Sequence, residues 1–127
     1  MYKRVVIIGI LFALLGVILG AFGAHGLKNS VTADMLSSYE TGVRYQMYHA
    51  FALIIIGLTS HLKPKAKQLL SWVFSLGILC FSGSIYLLVI QSIGTFSIAG
   101  IGFITPIGGL LFIVGWLIFL IKMCIND

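Results

Sequence analysis

No Asp, Glu, Lys or Arg interrupts the stretch Gln68–Ile121, QLLSWVFSLGILCFSGSIYLLVIQSIGTFSIAGIGFITPIGGLLFIVGWLIFLI. A helix needs about 20 apolar residues to cross the roughly 30 Å hydrocarbon core of a bilayer, so this stretch is long enough for two crossings. A polar break that contains glycine, QSIGTFS, divides it at residues 91–97. The stretch therefore predicts two membrane spans, at about 69–90 and 98–121.

Two further uncharged runs precede this stretch. The run 5–24 has the length of a span, and the shorter run Tyr45–Leu62 can be extended by a helical lead-in to a span at about 40–62. Continuous apolar runs without strand-like alternation favour helices over a β-barrel. The sequence thus predicts an all-α fold, a four-helix transmembrane bundle that forms a single integral membrane domain over residues 1–127.

The composition agrees with a membrane protein. Apolar residues make up 60% of the chain and charged residues only 9%, where soluble domains have about a quarter charged. The three acidic residues, Asp34, Glu40 and Asp127, are too few for calcium loops, two-metal sites or glycosidase carboxylate pairs. The basic residues lie at the edges of the apolar runs, so membrane lipids rather than nucleic acid are the expected partners.

The basic residues also predict the orientation of the spans, because Lys and Arg concentrate on the cytoplasmic side of a membrane. One side of the predicted bundle carries six of them, namely Lys3, Arg4, Lys63, Lys65, Lys67 and Lys122. The other side carries Lys28 and Arg44, whose charges two acidic residues offset. Both termini are therefore predicted to be cytoplasmic. Trp72 and Trp116 fall within about two turns of the same boundary, where amphipathic rings prefer to lie.

The segment between the first two spans carries signals for the start of a helix. In Ser37–Glu40, SSYE, the serine can cap a helix while Glu40 reaches back to it, so the second helix is expected to begin near Ser37. Glu40 and Arg44 are four residues apart, a spacing that favours an ion pair on one helix face, but such an exposed pair is weak and a solvated helix start is the preferred interpretation of both residues. A short interfacial helix is predicted at residues 32–36.

Polar side chains concentrate in the outer half of the predicted spans. Polar groups inside a membrane usually face other helices and mark either a ligand site or a hydrogen bond between helices. We expect a polar pocket in the outer half of the membrane, formed by His25, Glu40, Arg44, Tyr45, Gln46, Tyr48, His49, Ser82, Ser84, Tyr86, Thr105 and Pro106.

His49 is the most informative member of this set, because imidazole can donate, accept, titrate near neutrality or bind a metal. One interpretation is a hydrogen bond to Ser, Thr or Tyr of a neighbouring helix, and the other is a proton or metal role with His25 within reach. Two histidines without a nearby carboxylate or thiolate are weak evidence for zinc or haem, and Cys80 and Cys124 share no motif. We therefore predict no metal and no cofactor.

Pro106 lies inside the fourth predicted span, in Thr105–Gly109, TPIGG. Proline removes a backbone donor and frees the carbonyl of Gly102, so a kink or local break is predicted here. The freed carbonyl can line a binding site, or Thr105 can satisfy the backbone within a simple packing kink.

Glycines form stripes on the first and fourth spans, and small residues let two helices approach closely. The stripe residues are Gly9, Gly16, Gly20 and Gly23 in the first span and Gly108 and Gly115 in the fourth. They can pack against helices of the same bundle, or they can face a second copy of the protein in a homo-oligomer.

Four motifs together resemble one protein family. They are Gly20–Gly26, GAFGAHG; Thr41–His49, TGVRYQMYH; Phe81–Tyr86, FSGSIY; and Thr105–Gly109, TPIGG, followed by Gly115–Trp116. In this order the motifs resemble the YwdK/YgdD-like family of small bacterial membrane proteins, domain of unknown function 423, over essentially the whole chain. The resemblance implies a four-helix protein of the bacterial plasma membrane, and it supplies no reaction, substrate or cofactor.

Three functions are compatible with the sequence. The first is a non-enzymatic membrane protein that binds lipid or a membrane protein partner and supports envelope integrity, which the short loops favour. The second is an oligomeric carrier or channel for a proton, ion or small solute, with His49, Tyr45 and Pro106 along its path. The third is an intramembrane enzyme, which ranks last because no nucleophile with an adjacent base, CxxC or metal-ligand cluster is found and no catalytic residue is predicted.

Overall fold

The computed structural model describes residues 1–94 and 96–125, and these ranges contain four helices and no strand. The helices are α1, Lys3–Leu27; α2, Ala33–Leu58; α3, Pro64–Ile93; and α4, Ile101–Cys124. The last turn of α1, Gly23–Leu27, and one turn inside α3, Leu79–Gly83, are wound as π-helix. The predicted all-α fold is confirmed, while Thr95 of the predicted break and the acidic Asp127 lie outside the described residues.

Three of the four helices, α1, α3 and α4, are long and apolar enough to cross a membrane. The fourth, α2, has 26 residues but is less apolar, because Arg44, Gln46 and His49 lie in its central part. The sequence predicted a second span at 40–62, whereas α2 begins earlier than that range and ends at Leu58.

The first turn of α2 explains the difference in its start. Thr32 caps the helix, since its Oγ1 accepts a hydrogen bond of 3.2 Å from the Met35 backbone N–H. The prediction of a start near Ser37 was wrong, because Ser37 already lies inside the helix, where its carbonyl accepts a bond from Thr41 Oγ1. The predicted short helix at 32–36 is the first turn of α2 rather than a separate element.

α1 and α2 pack closely side by side, and the glycine stripe of α1 forms the contact. Gly9, Gly16, Gly20 and Gly23 face Ala50, Met47, Val43 and Tyr39 of α2, in that order. A Cβ added at Gly9 would lie 2.8 Å from the carbonyl oxygen of Ala50, which is closer than side chains approach. Only a residue without a side chain allows this separation between the two backbones.

The same principle joins α3 to α4. A Cβ added at Gly108 would lie 2.7 Å from backbone atoms of Cys80 and Phe81, and one at Gly115 would lie 2.6 Å from the Phe74 ring. All six glycines of the two predicted stripes thus face other helices of the same chain.

One buried apolar cluster takes residues from all four helices. It contains Val5 of α1, Leu53 and Ile56 of α2, Phe74 of α3 and Phe112 of α4. The outer faces of α1 and α4, in contrast, expose rows of Leu and Ile side chains. An apolar exterior of this extent suits a lipid environment rather than water.

The C-terminal end of α2 is capped by a side chain from α3. Lys67 is only 4% exposed, and its Nζ donates to the carbonyl oxygens of Gly57 at 3.2 Å and Thr59 at 2.6 Å. A cation at this position satisfies free carbonyls and complements the helix dipole. The backbone N–H of Tyr2 donates to the same Gly57 carbonyl at 2.7 Å, so α1 and α3 are both attached to the end of α2.

Candidate functional site

A groove with a volume of about 1040 Å³ lies between α2 and α4. It is lined by Thr41, Tyr45, Tyr48 and His49 of α2, by Phe81 of α3, and by Pro106, Gly109, Leu110, Phe112, Ile113, Trp116, Leu117 and Leu120 of α4. From Pro106 to Leu120 the helix rises about 21 Å, at roughly 1.5 Å per residue. We call this feature the α2–α4 groove.

His49 lies at the base of the α2–α4 groove and is 3% exposed. Its Nε2 is 3.0 Å from the indole nitrogen of Trp116, and its Nδ1 is 2.6 Å from the carbonyl oxygen of Tyr45. An indole N–H can only donate, and a carbonyl oxygen can only accept. The two partners therefore select the neutral tautomer of His49 in which Nδ1 carries the proton.

Aromatic rings enclose the imidazole of His49. The Phe112 ring stacks on it with a centroid distance of 3.6 Å and an angle of 9°, and the Phe74 ring is tilted against it at 5.4 Å. Trp116 meets it edge-on at 5.9 Å. In a doubly protonated imidazole the Nε2–H would face the Trp116 N–H, and two donors repel each other. The surroundings of His49 therefore favour the neutral ring.

The partner of His49 differs from the one expected. The sequence interpretation named Ser, Thr or Tyr, and it placed Trp116 at the cytoplasmic boundary but His49 in the outer half. The hydrogen bond puts the two side chains at one level. The two side chains share a level because α2 begins as early as Ala33, so His49 lies beyond the midpoint of that helix.

Gln46 forms a second polar contact, which is separate from the groove. It is 2% exposed, its Nε2 donates to the Phe12 carbonyl oxygen at 2.8 Å, and its Oε1 accepts from the Tyr86 hydroxyl at 2.7 Å. These bonds connect α1, α2 and α3. Both ends of the buried amide are thereby satisfied, as burial requires.

Two serines connect α3 to its neighbours. Ser82 Oγ donates to the Gly42 carbonyl oxygen of α2 at 2.6 Å. Ser84 Oγ shares a hydrogen bond with Thr105 Oγ1 of α4, one residue before Pro106. Both hydroxyls therefore serve contacts between helices.

Comparison with known proteins identifies the family. Residues 19–109 match the family model described as a protein of unknown function, DUF423. The chain belongs to the DUF423 family. This match covers α2, α3 and the part of α4 that includes Pro106 and Gly109, so it contains His49 and Gln46, while their partners Trp116 and Phe12 lie outside it.

Relatives of this DUF423 protein match it over nearly their whole length. A UPF0382 membrane protein of Staphylococcus saprophyticus is 45% identical over 119 residues, which are 94% of this chain and 95% of that protein. The UPF0382 membrane protein YwdK of Bacillus subtilis is 37% identical over 121 residues, 94% of each chain. No solved structure matches. Together with the three apolar helices, the relatives show that the DUF423 protein is a membrane protein.

Three residues of the predicted pocket lie apart from the others in this DUF423 protein. His25 is exposed in the π-helical turn of α1, and Glu40 is exposed on α2. The predicted ion pair of Glu40 with Arg44 does not form, because Arg44 Nη2 instead donates to Thr41 Oγ1 at 3.0 Å. The hydroxyl one turn away competes successfully with a carboxylate that points to solvent.

Of the kink or local break predicted at Pro106, the break is absent, since α4 is one continuous helix from Ile101 to Cys124, and the kink stays a prediction. Pro106 lies in the second turn, close to Gly100, whose φ of 82° ends the preceding loop. A proline this near the N-terminal end of a helix removes a single backbone bond, and the contact of Thr105 with Ser84 holds the turn in place.

The predicted single pocket thus divides into parts with different roles. Residues on the groove are Tyr45, Tyr48, His49 and Pro106, and residues in contacts between helices are Gln46, Ser82, Ser84, Tyr86 and Thr105. Sequence reasoning did not assign Trp116 or Phe112 to the site, because only the parallel register of α2 and α4 brings them to His49. Among the described residues, no group of three or more His, Cys, Asp or Glu side chains could hold a metal ion.

Proposed function

We propose that this DUF423 protein is a non-enzymatic integral protein of the bacterial plasma membrane that holds a lipid acyl chain in the α2–α4 groove and supports envelope integrity. The proposal rests on one observation, which is the shape of the groove. It opens sideways beside α4, whose outer face is apolar, and it runs along most of that helix. A lipid molecule can enter such a groove without leaving the membrane.

The two ends of the α2–α4 groove differ in polarity. Its upper end carries the Thr41 hydroxyl, to which Arg44 donates, and the half-exposed phenol of Tyr48 lies about two turns further along α2. Its lower end is formed by Leu117 and Leu120, which are 53% and 59% exposed. A hydroxyl at the upper end and a mostly apolar lining along the groove's length of about 21 Å match an amphiphile whose chain lies along α4.

We further propose that α2 crosses the membrane together with the other three helices. It lies beside α1 along its length, from the contact of Tyr39 with Gly23 at one end to the contact of Gly57 with Val6 at the other. Of the polar groups in the central part of α2, Gln46 and His49 are bonded to other helices and need no water, whereas Arg44 is exposed and bonds Thr41 of α2 itself. Four crossings place both termini on one side, and the six basic residues near them favour the cytoplasm.

The geometry gives less support to a carrier. A proton or ion path needs polar groups that are continuous and free to exchange partners. Here Gln46, His49 and Ser82 belong to three separate contacts, and each is held by partners on the protein. The stripe glycines face helices of the same chain, so the proposal does not need a second copy.

A side chain added inside the groove tests the proposal. A Cβ at Gly109 would lie 3.8 Å from the Phe81 ring, which is ordinary contact, so Gly109→Leu places a side chain in the groove and obstructs part of it without disturbing the backbone. Gly83→Leu is the matched control, because a Cβ at Gly83 meets nothing within 4 Å and Gly83 does not line the groove. Both variants should fold, which the helical circular dichroism signal checks.

Two measurements compare these variants with the wild type. In nanodiscs that contain a phosphatidylethanolamine with a photoactivatable acyl chain, Gly109→Leu should lose most of the cross-linking that wild type and Gly83→Leu show. In a strain that lacks the protein, wild type and Gly83→Leu should restore resistance to detergent, and Gly109→Leu should not. Unchanged cross-linking in Gly109→Leu contradicts the lipid site, and an unchanged detergent response of the deletion strain contradicts the role in envelope integrity.

A further inference from the structure

A second groove, with a volume of about 490 Å³, lies between α1 and α3 and shares no residue with the α2–α4 groove. We call it the α1–α3 groove. It begins where α1 and α3 leave the membrane, at Arg4 and Gln68, and continues between the two helices towards Phe12. Its two ends are chemically different.

The outer end of the α1–α3 groove is rich in hydrogen-bond donors. Arg4 contributes a guanidinium that presents five N–H groups, and it is exposed in the first turn of α1. The Gln68 side-chain amide donates to the Tyr2 hydroxyl, which orients both groups at the groove mouth. The Ser71 hydroxyl follows one turn further along α3. These groups together form a surface that favours an acceptor with several oxygens.

One polar atom of this groove has no partner. Ser75 Oγ is buried from solvent and makes no hydrogen bond with any described residue. Ser75 lines the groove one turn beyond Ser71. A buried hydroxyl without a partner is destabilising, and rotation of the Ser75 side chain would turn this hydroxyl towards the groove, where a ligand oxygen can accept from it.

The inner end of the α1–α3 groove is apolar. Ile8 and Phe12 of α1 form one wall, and Trp72 of α3, which is 70% exposed, forms part of the other. From Arg4 to Phe12 the helix descends about 12 Å into the apolar layer, at 1.5 Å per residue. The groove therefore offers donors at headgroup depth and an apolar channel directly beneath them.

Within residues 1–94 and 96–125, no acidic side chain compensates the charge at the mouth. No Asp or Glu lines the groove. Asp34 and Glu40 both lie in the first half of α2, whereas α1 begins at the opposite end of α2, where the Tyr2 N–H meets the Gly57 carbonyl at 2.7 Å. The Arg4 guanidinium, at the membrane surface and without a carboxylate beside it in the groove, attracts an anionic headgroup.

We propose that the α1–α3 groove is a binding site for an anionic phospholipid. The phosphate accepts hydrogen bonds from Arg4 and from the Tyr2–Gln68 pair, in the bidentate geometry that guanidinium groups form with phosphate. The ester oxygens reach the Ser71 and Ser75 hydroxyls. One acyl chain follows Ile8 and Phe12. The site uses neither the α2–α4 groove nor the proposed function, so each can fail without the other.

Native mass spectrometry of the purified full-length protein tests this site. The protein is incubated in detergent with equal amounts of phosphatidylglycerol and phosphatidylcholine that have the same acyl chains, and the retained lipid is counted. The wild-type protein should retain phosphatidylglycerol in preference to phosphatidylcholine. Arg4→Gln should reduce that preference on the order of tenfold, because it removes the charge-assisted bonds. Lys3→Gln removes the same charge from the same helix turn outside the groove, and it should retain the preference.

A second pair of variants tests the apolar part of the groove. Trp72→Ala opens one wall at an exposed position and should lower the retention of phosphatidylglycerol, while Leu76→Ala, also exposed on α3 but outside the groove, should not. Soluble glycerol phosphate should fail to displace the bound lipid. Equal retention of the two lipids by wild type, equal losses in Arg4→Gln and Lys3→Gln, or displacement by glycerol phosphate would each overturn the proposal.

Discussion

The indole N–H of Trp116 donates to His49 Nε2 across 3.0 Å, and this bond joins α4 to α2 at the base of the α2–α4 groove. The other imidazole nitrogen is held by the Tyr45 carbonyl one turn away. A histidine with both nitrogens engaged and a phenylalanine ring stacked on its face has a structural role in this arrangement. This relationship also gives the first prediction.

Trp116→Phe should destabilise the protein by about 1–3 kcal/mol, because it leaves the buried acceptor His49 Nε2 without a donor. The midpoint of thermal unfolding in detergent, followed by circular dichroism, measures the effect. Trp72→Phe is the control, since Trp72 is 70% exposed and its replacement should leave the midpoint unchanged. Equal midpoints for Trp116→Phe and wild type would contradict the assigned hydrogen bond.

Gly9→Ala should destabilise the contact of α1 with α2. The added methyl group would lie 2.8 Å from the Ala50 carbonyl oxygen, so the two helices must move apart, at a cost of about 1–3 kcal/mol. Unfolding by increasing concentrations of a denaturing detergent measures the loss. Gly83→Ala adds the same group at an open position, and it should be neutral or slightly stabilising because alanine favours helix. A loss of the same size in both variants would show that helix propensity, and not close packing, governs these positions.

The third prediction concerns the number of membrane crossings, four with α2 as a span or three without it. If α2 crosses with the other three helices, both termini lie in the cytoplasm, so green fluorescent protein fused to either terminus should fluoresce. Alkaline phosphatase fused to the C-terminus should be inactive, because it needs the oxidising side of the membrane. With three crossings the termini would lie on opposite sides. An active C-terminal phosphatase fusion together with a fluorescent N-terminal fusion would therefore exclude α2 as a span.

The sequence allowed the helices to be placed but not their ends. Uncharged length alone located α1, α3 and α4, since few other structures suit such runs. The start of α2 was misplaced because Thr32 and Ser37 are both good capping residues, and the sequence alone does not show which of them caps the helix. In the structure the cap is Thr32, whose Oγ1 accepts from the Met35 backbone N–H at 3.2 Å.

The composition of the site was predictable only in part. The sequence directed attention to His49, Tyr45 and Gln46 as polar residues in an apolar setting, and two of these are buried contacts. Their partners were not predictable, because Trp116 approaches His49 from a separate helix, 67 residues further along the chain. A tryptophan near the end of an apolar run is also typical of the membrane boundary, so nothing in the sequence indicated that Trp116 is in addition a hydrogen-bond donor to another helix.

The cap that Lys67 places on α2 has a consequence for the order of assembly. Its Nζ reaches the Gly57 carbonyl from a position ten residues later in the chain, on the helix that leaves the ribosome after α2. The last carbonyls of α2 therefore gain this cation only when translation has passed the first turn of α3. Since α2 is the least apolar of the four helices, the hairpin of α1 and α2 is completed during synthesis by the element that follows it.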